Sequence, residues 1–291
     1  MRITPLQRER VVALDRRYRS CWDTRAIGHV TGVGHVTVAK ILREERGPRP
    51  KPVERPHERR TLFLRRDVMW STDYQKLEGG VELLKTIEEC SRYRPGWEVL
   101  VGESAEEVVM HADDLLEMMG RAPLVWKHDN GGPFKSGEFQ EFLEENDIIS
   151  YPTRPRAPWT NGRVERDNQD VQGWLLPMMG KGLKYSDWNR EVDEGMLMLN
   201  YVKPRAVLGY RTSADVYFHT EGVEDIDRGM LLMELEEIKC QLGWDGWHKD
   251  NALHRRAVKL LLRKWGLYEE WSENDAEAGS VNEAGSDDVA F

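Results

Sequence analysis

The stretch Trp126-Lys127-His128-Asp129-Asn130-Gly131-Gly132-Pro133-Phe134 decides how this chain is organised. The apolar run Leu124 to Trp126 leads into it and predicts a short buried strand. That strand ends at the carboxylate of Asp129, directly ahead of a glycine turn. The strand before such an acid and the turn after it fix the position of its backbone, which makes Asp129 a candidate for a functional site.

Two further acids occupy comparable positions. Asp73 ends the run Val68-Met69-Trp70-Ser71-Thr72, which predicts a strand, and Glu165 opens a polar helix after Asn161-Gly162-Arg163-Val164. Each acid alone is ordinary, because Asn-Gly usually marks a turn and acids favour the amino end of a helix. Their joint occurrence on these elements predicts that the fold brings them together.

The composition is that of a soluble globular protein, with 291 residues and 40% apolar content. No apolar run is long enough to span a membrane, so we expect no membrane partner. Three scattered cysteines, Cys21, Cys90 and Cys240, suggest a reducing cytoplasm. No pair of them has C-x-x-C spacing, which argues against a structural zinc site.

The net charge of -9 conceals a strong asymmetry along the chain. Residues 1–60 hold 15 Lys and Arg against 7 Asp and Glu, a net +8, whereas residues 269–291 hold 8 acids and no base. A nucleic-acid surface is therefore expected at the front of the chain, where basic side chains can contact phosphates.

The front of the chain predicts a small all-α domain over residues 1–46. Residues 5–20 have helical spacing, and two shorter helices follow around the turn Thr31-Gly32-Val33-Gly34. This pattern resembles a helix-turn-helix with its recognition helix near 35–45. Its candidate DNA contacts are His35, Thr37, Lys40 and Arg43. The alternative is a helical hairpin that docks on the core.

Residues 47–60 predict a linker, since four prolines fall within residues 47–56. Such a segment is extended and semi-rigid, and Arg49 and Lys51 within it are candidates for contacts to a DNA backbone.

The next region alternates between strand and helix patterns in the order βββ-α-β-α-β-α, which predicts a mixed five-stranded α/β sheet with flanking helices. In that order Asp73 lies on the first strand and Asp129 at the end of the fourth, which can be neighbours. Glu165 projects from the first turn of the last helix. His128 is expected to face away from the acids, because neighbouring residues of a strand point to opposite faces.

The motifs W-S-T-D-Y at 70–74, H-D-N-G-G-P-F at 128–134 and N-G-R-V-E-R at 161–166 resemble the D, D, E core of retroviral integrases and related bacterial insertion-sequence transposases. Glu165 follows Asp129 after 35 intervening residues, and Cys90-Ser91-Arg92-Tyr93 with Gly96-Trp97 is similar to another motif of that family. The resemblance covers about residues 61–217 and implies an RNase H-like catalytic domain.

The resemblance also implies a chemistry. Asp73, Asp129 and Glu165 would be both the catalytic residues and the ligands of two Mg²⁺ or Mn²⁺ ions, which require hard oxygen ligands. The reaction would be cleavage at the 3′ ends of a mobile DNA element followed by strand transfer into target DNA. Double-stranded DNA, a homo-oligomer assembled on it and a bacterial, nucleoid-associated cytoplasmic location follow from the same resemblance.

Further DNA contacts are expected around the third acid. The segment 152–160 is rich in proline and carries Arg154 and Arg156, so it suits either a DNA-gripping loop or an inert connector. Arg163, Gln169 and Gln172 lie on the predicted catalytic helix, the two glutamines where many relatives have Lys.

The closing motif Asn200-Tyr201-Val202-Lys203-Pro204-Arg205 also departs from the family pattern, as does Ser213.

Two alternatives to an active transposase stay open: a catalytically silent, domesticated DNA-binding regulator, and a plain RNase H-like nuclease.

The last part of the chain is less specific. Residues 218–268 predict amphipathic helices at 231–242 and 252–265, the second basic enough to contact DNA or a neighbouring subunit, or simply to be solvated. Residues 269–291 are acidic and poor in apolar residues, which predicts a disordered tail.

Overall fold

The computed structural model describes residues 3–18, 22–46, 60–153, 162–245 and 250–271. The predicted contacts Arg49, Lys51, Arg154 and Arg156 lie outside these ranges, as do most of the linker and residues 272–291.

Three helices form the front of the chain: α1 (Pro5–Arg17), α2 (Thr24–Thr31) and α3 (His35–Arg46). The side chain of Asp23 caps α2 by accepting from the backbone N–H groups of Arg25 and Ala26 at 2.9 and 2.8 Å. Gly32 ends α2 in the left-handed region at φ +69°. The predicted helix pair with its glycine turn is therefore present.

After the linker the chain continues, in sequence order, with β1 (Arg60–Phe63), β2 (Met69–Lys76), β3 (Glu82–Glu88), β4 (Gly96–Leu100), α4 (Ala105–Met119), β5 (Val125–His128), α5 (Gly137–Glu145), β6 (Ile149–Pro152), α6 (Gly162–Leu175), α7 (Tyr185–Tyr201), α8 (Ser213–His219), α9 (Arg228–Gln241), α10 (Asn251–Lys264) and β7 (Tyr268–Trp271). Short 3₁₀ turns occupy Pro133–Lys135, Leu176–Met178 and Ala206–Leu208.

The main sheet has five strands in the order β4-β3-β2-β5-β6. The pairs β4–β3 and β3–β2 are antiparallel, whereas β2–β5 and β5–β6 are parallel. This mixed sheet with helices around it confirms the predicted fold class. Its central strands β2 and β5 carry Trp70 and Trp126, which are fully buried with ring centroids 5.6 Å apart.

Helices α9 and α10 are built into the core. Leu231, Leu235, Val258 and Leu261 belong to the same buried cluster as residues of β2, β5 and β6, among them Met69. Burial of this apolar surface is the main favourable term for docking the helices. The C-terminal helices therefore cover the sheet and do not form a separate appendage.

The predicted start of the disordered tail at residue 269 is wrong. Residues Tyr268–Trp271 form β7, which pairs antiparallel with β1 in a separate two-stranded sheet. The composition could not show this, because the strand's partner β1 is distant in the sequence. Glu270 also accepts from Lys259 and Arg263 of the preceding helix at 3.1 and 3.0 Å.

No helix within the described ranges is both long and apolar enough to cross a membrane.

Candidate active site

Asp73 and Asp129 lie next to each other where the parallel pairing of β2 and β5 ends. Thr72 and His128 are register partners on these strands, and each acid is the next residue in the chain. Adjacent strands are about 4.8 Å apart, so the two side chains start from neighbouring backbone positions. The predicted adjacency of their strands is confirmed.

The side chain of Asp129 is fixed by its own turn. The backbone N–H of Gly131 donates to Oδ1 of Asp129 at 2.7 Å. A Cβ at position 131 would lie 2.8 Å from that oxygen, which is closer than real Cβ contacts, so a larger residue there would displace the Asp129 carboxylate. Asn130 Nδ2 donates to the carbonyl of Thr153 at 2.6 Å and ties the turn to the end of β6.

Asp73 is partly buried and receives a hydrogen bond from Nδ2 of Asn168 on α6 at 3.0 Å. Burial raises the pKa of Asp73, and it outweighs the opposing effects of Lys85 and of the Asn168 bond; the charges of Asp129 and Asp167 add to the rise. The neighbouring negative charges mean that a cation placed between Asp73 and Asp129 would be attracted by both.

Position 165 lies in the first turn of α6, although the side chains of residues 163–165 lie outside what the structure describes. Residues three apart share a face of an α-helix. Position 165 therefore lies on the same face of α6 as Asn168, which contacts Asp73. Among the side chains that are described, to which Glu165 does not belong, no three His, Cys, Asp or Glu residues form a metal site.

His128 is buried on the other face of the sheet, as its place in the strand predicts. Its ring stacks on Phe134 with centroids 5.6 Å apart. Its Nδ1 donates to the carbonyl of Asp129 at 2.7 Å, so Nε2 accepts from Oγ of Ser150 at 3.0 Å. Burial lowers the pKa of His128, which favours this neutral form.

A set of buried charges lies under α6, and sequence reasoning did not find it. Asp167 contacts Lys85 and Arg94, and one turn later Asp170 contacts Lys203 at 2.8 Å and Arg205 at 3.1 Å. The only signal in the sequence was the spacing of the two acids at i and i+3 on a helix.

The predicted DNA contacts whose side chains the structure describes are mostly exposed. His35, Lys40 and Arg43 are exposed on α3, Thr37 is partly buried, and Gln169 and Gln172 are exposed on α6.

The residues that depart from the family's closing motif are buried. Lys203 and Arg205 contact Asp170, and Arg205 Nε also donates to Oγ of Ser213 at 2.9 Å. The departures from the family pattern at these positions therefore serve internal contacts.

Four basic residues of α10 contact other parts of the protein. Arg255 donates to the carbonyl of Pro152 at 3.3 Å, and Lys264 pairs with Glu234 at 2.9 Å. Lys259 and Arg263 both bind Glu270. The four basic side chains therefore link α10 to β6, α9 and β7.

Residues 64–158 match the model of the integrase core domain family, which relates this part of the chain to integrase cores. A segment of 77 residues, 26% of this chain, is 31% identical to the Pol-related polyprotein of the mouse intracisternal A-particle MIA14. The matched segment spans 9% of that polyprotein.

Two solved structures are among those similar to this chain. A chain of the simian T-cell lymphotropic virus intasome in complex with the PP2A regulatory subunit B56 gamma is 18% identical, with a TM-score of 0.50 over 75% of this chain and 77% of that one. The HTLV-2 integrase catalytic core domain in complex with magnesium is 20% identical, with a TM-score of 0.44 over 53% of this chain and 99% of that one.

Proposed function

We propose that this chain, whose residues 64–158 match the integrase core domain, is a DNA transposase or integrase that processes and joins the ends of its own mobile element. The observation that supports this best is the pair Asp73 and Asp129 at matched positions of adjacent parallel strands. Asn168, which shares a face of α6 with position 165, donates a hydrogen bond to Asp73 of this pair.

The proposed reaction is phosphoryl transfer in two steps at one site. In the first, a water oxygen forms a bond to a phosphorus at the element end, the bond to the 3′ oxygen breaks, and that oxygen leaves as a 3′-hydroxyl. In the second, this hydroxyl attacks a phosphate of the target strand in line and releases the target's own 3′-hydroxyl. Each step needs stabilisation of negative charge on the attacking and leaving oxygens.

The donor set fits Mg²⁺ or Mn²⁺. Asp73 and Asp129 offer hard carboxylate oxygens on neighbouring strands, and Glu165 would add a third carboxylate from α6. When bound, two such ions would supply the charge stabilisation that the reaction needs, and Asp73, Asp129 and Glu165 are the residues that would hold them.

The protein's own contribution is to hold these carboxylates in place. Asn168 fixes one oxygen of Asp73 at 3.0 Å, and the Gly131 N–H fixes one oxygen of Asp129 at 2.7 Å. Each acid therefore keeps its other oxygen for a ligand, and neither has to reorganise much when DNA and metal arrive.

Recognition of the element ends is assigned to α3. Its exposed side chains include His35, Lys40 and Arg43. Glu44, near the carboxyl end of the helix, forms an ion pair with Arg8 at 2.8 Å. Recognition helices of this kind lie in the major groove with such residues at the base edges. Arg49, Lys51, Arg154, Arg156, Arg163, Gln169 and Gln172 stay candidates for further contacts to the DNA, on which we propose that a homo-oligomer assembles.

One assay separates this function from its alternatives. The full chain is incubated with Mn²⁺ or Mg²⁺, a pre-cut duplex of the terminal sequence that flanks its gene, and a supercoiled target. A transposase joins the 3′-hydroxyl to the target strand, a hybrid-cleaving nuclease only cuts, and a silent regulator only binds. Cutting without joining, or binding alone, would reject the proposal.

A further inference from the structure

Lys85 is a buried lysine placed directly beside the proposed catalytic acids. It is the register partner of Asp73 across the antiparallel strands β2 and β3, so both side chains leave the same face of the sheet. Only 2% of Lys85 is exposed. Its Nζ does not bond Asp73 but contacts Oδ2 of Asp167 on α6 at 2.8 Å.

Asp167 also binds Arg94, whose guanidinium donates to Oδ1 of the carboxylate. Arg94 is itself held rigidly, because Asn200 accepts from its backbone N–H at 3.0 Å and donates to its carbonyl at 2.9 Å. Each carboxylate oxygen of Asp167 therefore has its own basic partner, Lys85 on β3 and Arg94 ahead of β4.

These contacts close a ring that begins and ends at Asp73. Asp73 faces Lys85 across the sheet, Lys85 binds Asp167, and the next residue of the helix, Asn168, returns to Oδ2 of Asp73. Two adjacent residues of α6 are therefore attached to two directly opposed residues of β2 and β3. Such a ring leaves α6 little freedom to slide or rotate over the sheet.

We propose that Lys85 and Asp167 are positioning residues that set α6 against the β2–β3 pair, so that Asn168 and position 165 face Asp73. This inference rests on the proposed function for its catalytic consequence. Its structural content, the local anchoring of the first turns of α6, stands independently of that function.

The chain offers a matched control on the same helix. Asp170 lies one turn beyond Asp167 and is also bound by one lysine and one arginine, Lys203 and Arg205. Lys85→Met and Lys203→Met each remove one buried ammonium and leave the acid with its arginine. They differ in that only Lys85 belongs to the ring through Asp73.

The first measurement is hydrogen–deuterium exchange of α6 in the full chain without metal. Lys85→Met should accelerate exchange of the amides at 166–171 about tenfold, because the first turns lose their direct link to β3. Lys203→Met should change the same amides less than about threefold. Equal exchange in Lys85→Met and the wild type, or equal acceleration in both variants, would overturn the inference.

The second measurement is the joining rate at saturating DNA and its dependence on Mn²⁺. Lys85→Met should lower the maximal rate roughly ten- to a hundredfold with an unchanged KM for the duplex, since a small misplacement of catalytic groups has effects of that size. Lys203→Met should stay close to the wild type. If Lys85 acted by charge alone, its removal would instead lower the half-saturating Mn²⁺ concentration with α6 exchange unchanged, and the positioning role would be wrong.

The two proposals can fail separately. A wild-type chain that joins no duplex rejects the transposase function, while the exchange comparison still decides the positioning role. If Lys85→Met does not unfold cooperatively, Asp167→Asn and its control Asp170→Asn test the same contrast from the helix side. A larger exchange effect for Asp167→Asn supports the inference, and equal effects reject it.

Discussion

Asp73 and Asp129 each directly follow one member of the register pair Thr72–His128, so the two acids occupy equivalent places on adjacent parallel strands. This relationship puts two carboxylates within reach of one cation. It also predicts how the site responds when either charge, or the helix opposite, is altered.

Asp73→Asn should reduce joining by roughly a thousandfold or more while binding to the end duplex persists. The amide keeps the size of the side chain and an oxygen for Asn168, but it lacks the negative charge that would help to hold the metal ions. Joining is measured with the pre-cut duplex and binding by fluorescence anisotropy. Normal joining by Asp73→Asn would remove this residue from the active site.

Glu165→Gln should behave like Asp73→Asn, because it removes the ligand charge supplied by α6. Gln169→Ala is a suitable control, since Gln169 is exposed on the same helix. The control should affect DNA binding more than the chemical step. A Glu165→Gln variant with wild-type joining at saturating metal would show that the third carboxylate comes from elsewhere.

The double variant Lys40→Ala/Arg43→Ala should weaken binding of the full chain to duplex DNA. Each removed phosphate contact should also flatten the dependence of log affinity on log salt by about one unit. Lys181→Ala provides a control, as this exposed lysine lies in the segment between α6 and α7 and does not belong to the helix-turn-helix. If the control and the double variant lost the same affinity, the effect on DNA binding would come from the overall charge of the protein. Recognition of the element ends would then lie outside α3.

His128→Ala should destabilise the protein and yet retain most of the joining activity. The ring packs on Phe134 and donates to the carbonyl of Asp129, so its loss should lower the free energy of unfolding by about 2–3 kcal/mol. Urea unfolding gives the stability, and joining is assayed well below the melting temperature. Abolished joining in a folded His128→Ala variant would favour a histidine-based mechanism.

Glu88 should make stability depend on pH. Complete burial raises its pKa from 4.5 to about 7, despite hydrogen bonds from Ser91 and the backbone N–H of Cys90. The folded state therefore holds a proton that the unfolded chain releases, so stability should fall as pH rises from about 4.5 to about 7. The change is roughly 3 kcal/mol.

Urea unfolding between pH 4.5 and 8 checks this, with Glu88→Gln as the reference. Histidines also titrate in this range, so the informative quantity is the difference in slope between the two proteins. Glu88→Gln should lose the part of the slope due to Glu88. Parallel curves would mean that folding does not raise the pKa of Glu88.

The sequence by itself determined the local elements and the two acids that depend on them. Period-two and helical patterns predicted the strands of the main sheet and the helices around it. The strand that ends at Asp129 and the glycine turn after it could be predicted from neighbouring residues alone. The three-acid assignment, including Glu165, stays a prediction. The two strand acids were predictable because a strand end and a turn are set within a few residues.

Only the tertiary structure decided what surrounds those acids. Lys85 and Asp167 are 82 residues apart, and their pairing depends on how α6 crosses the sheet. The same holds for the burial of Lys203 and Arg205, and for the pairing of β1 with the acidic strand β7. A charge on a helix or strand has the same local sequence signature whether it contacts water, DNA or a buried partner, because desolvation and ion pairing are settled only when distant segments pack together.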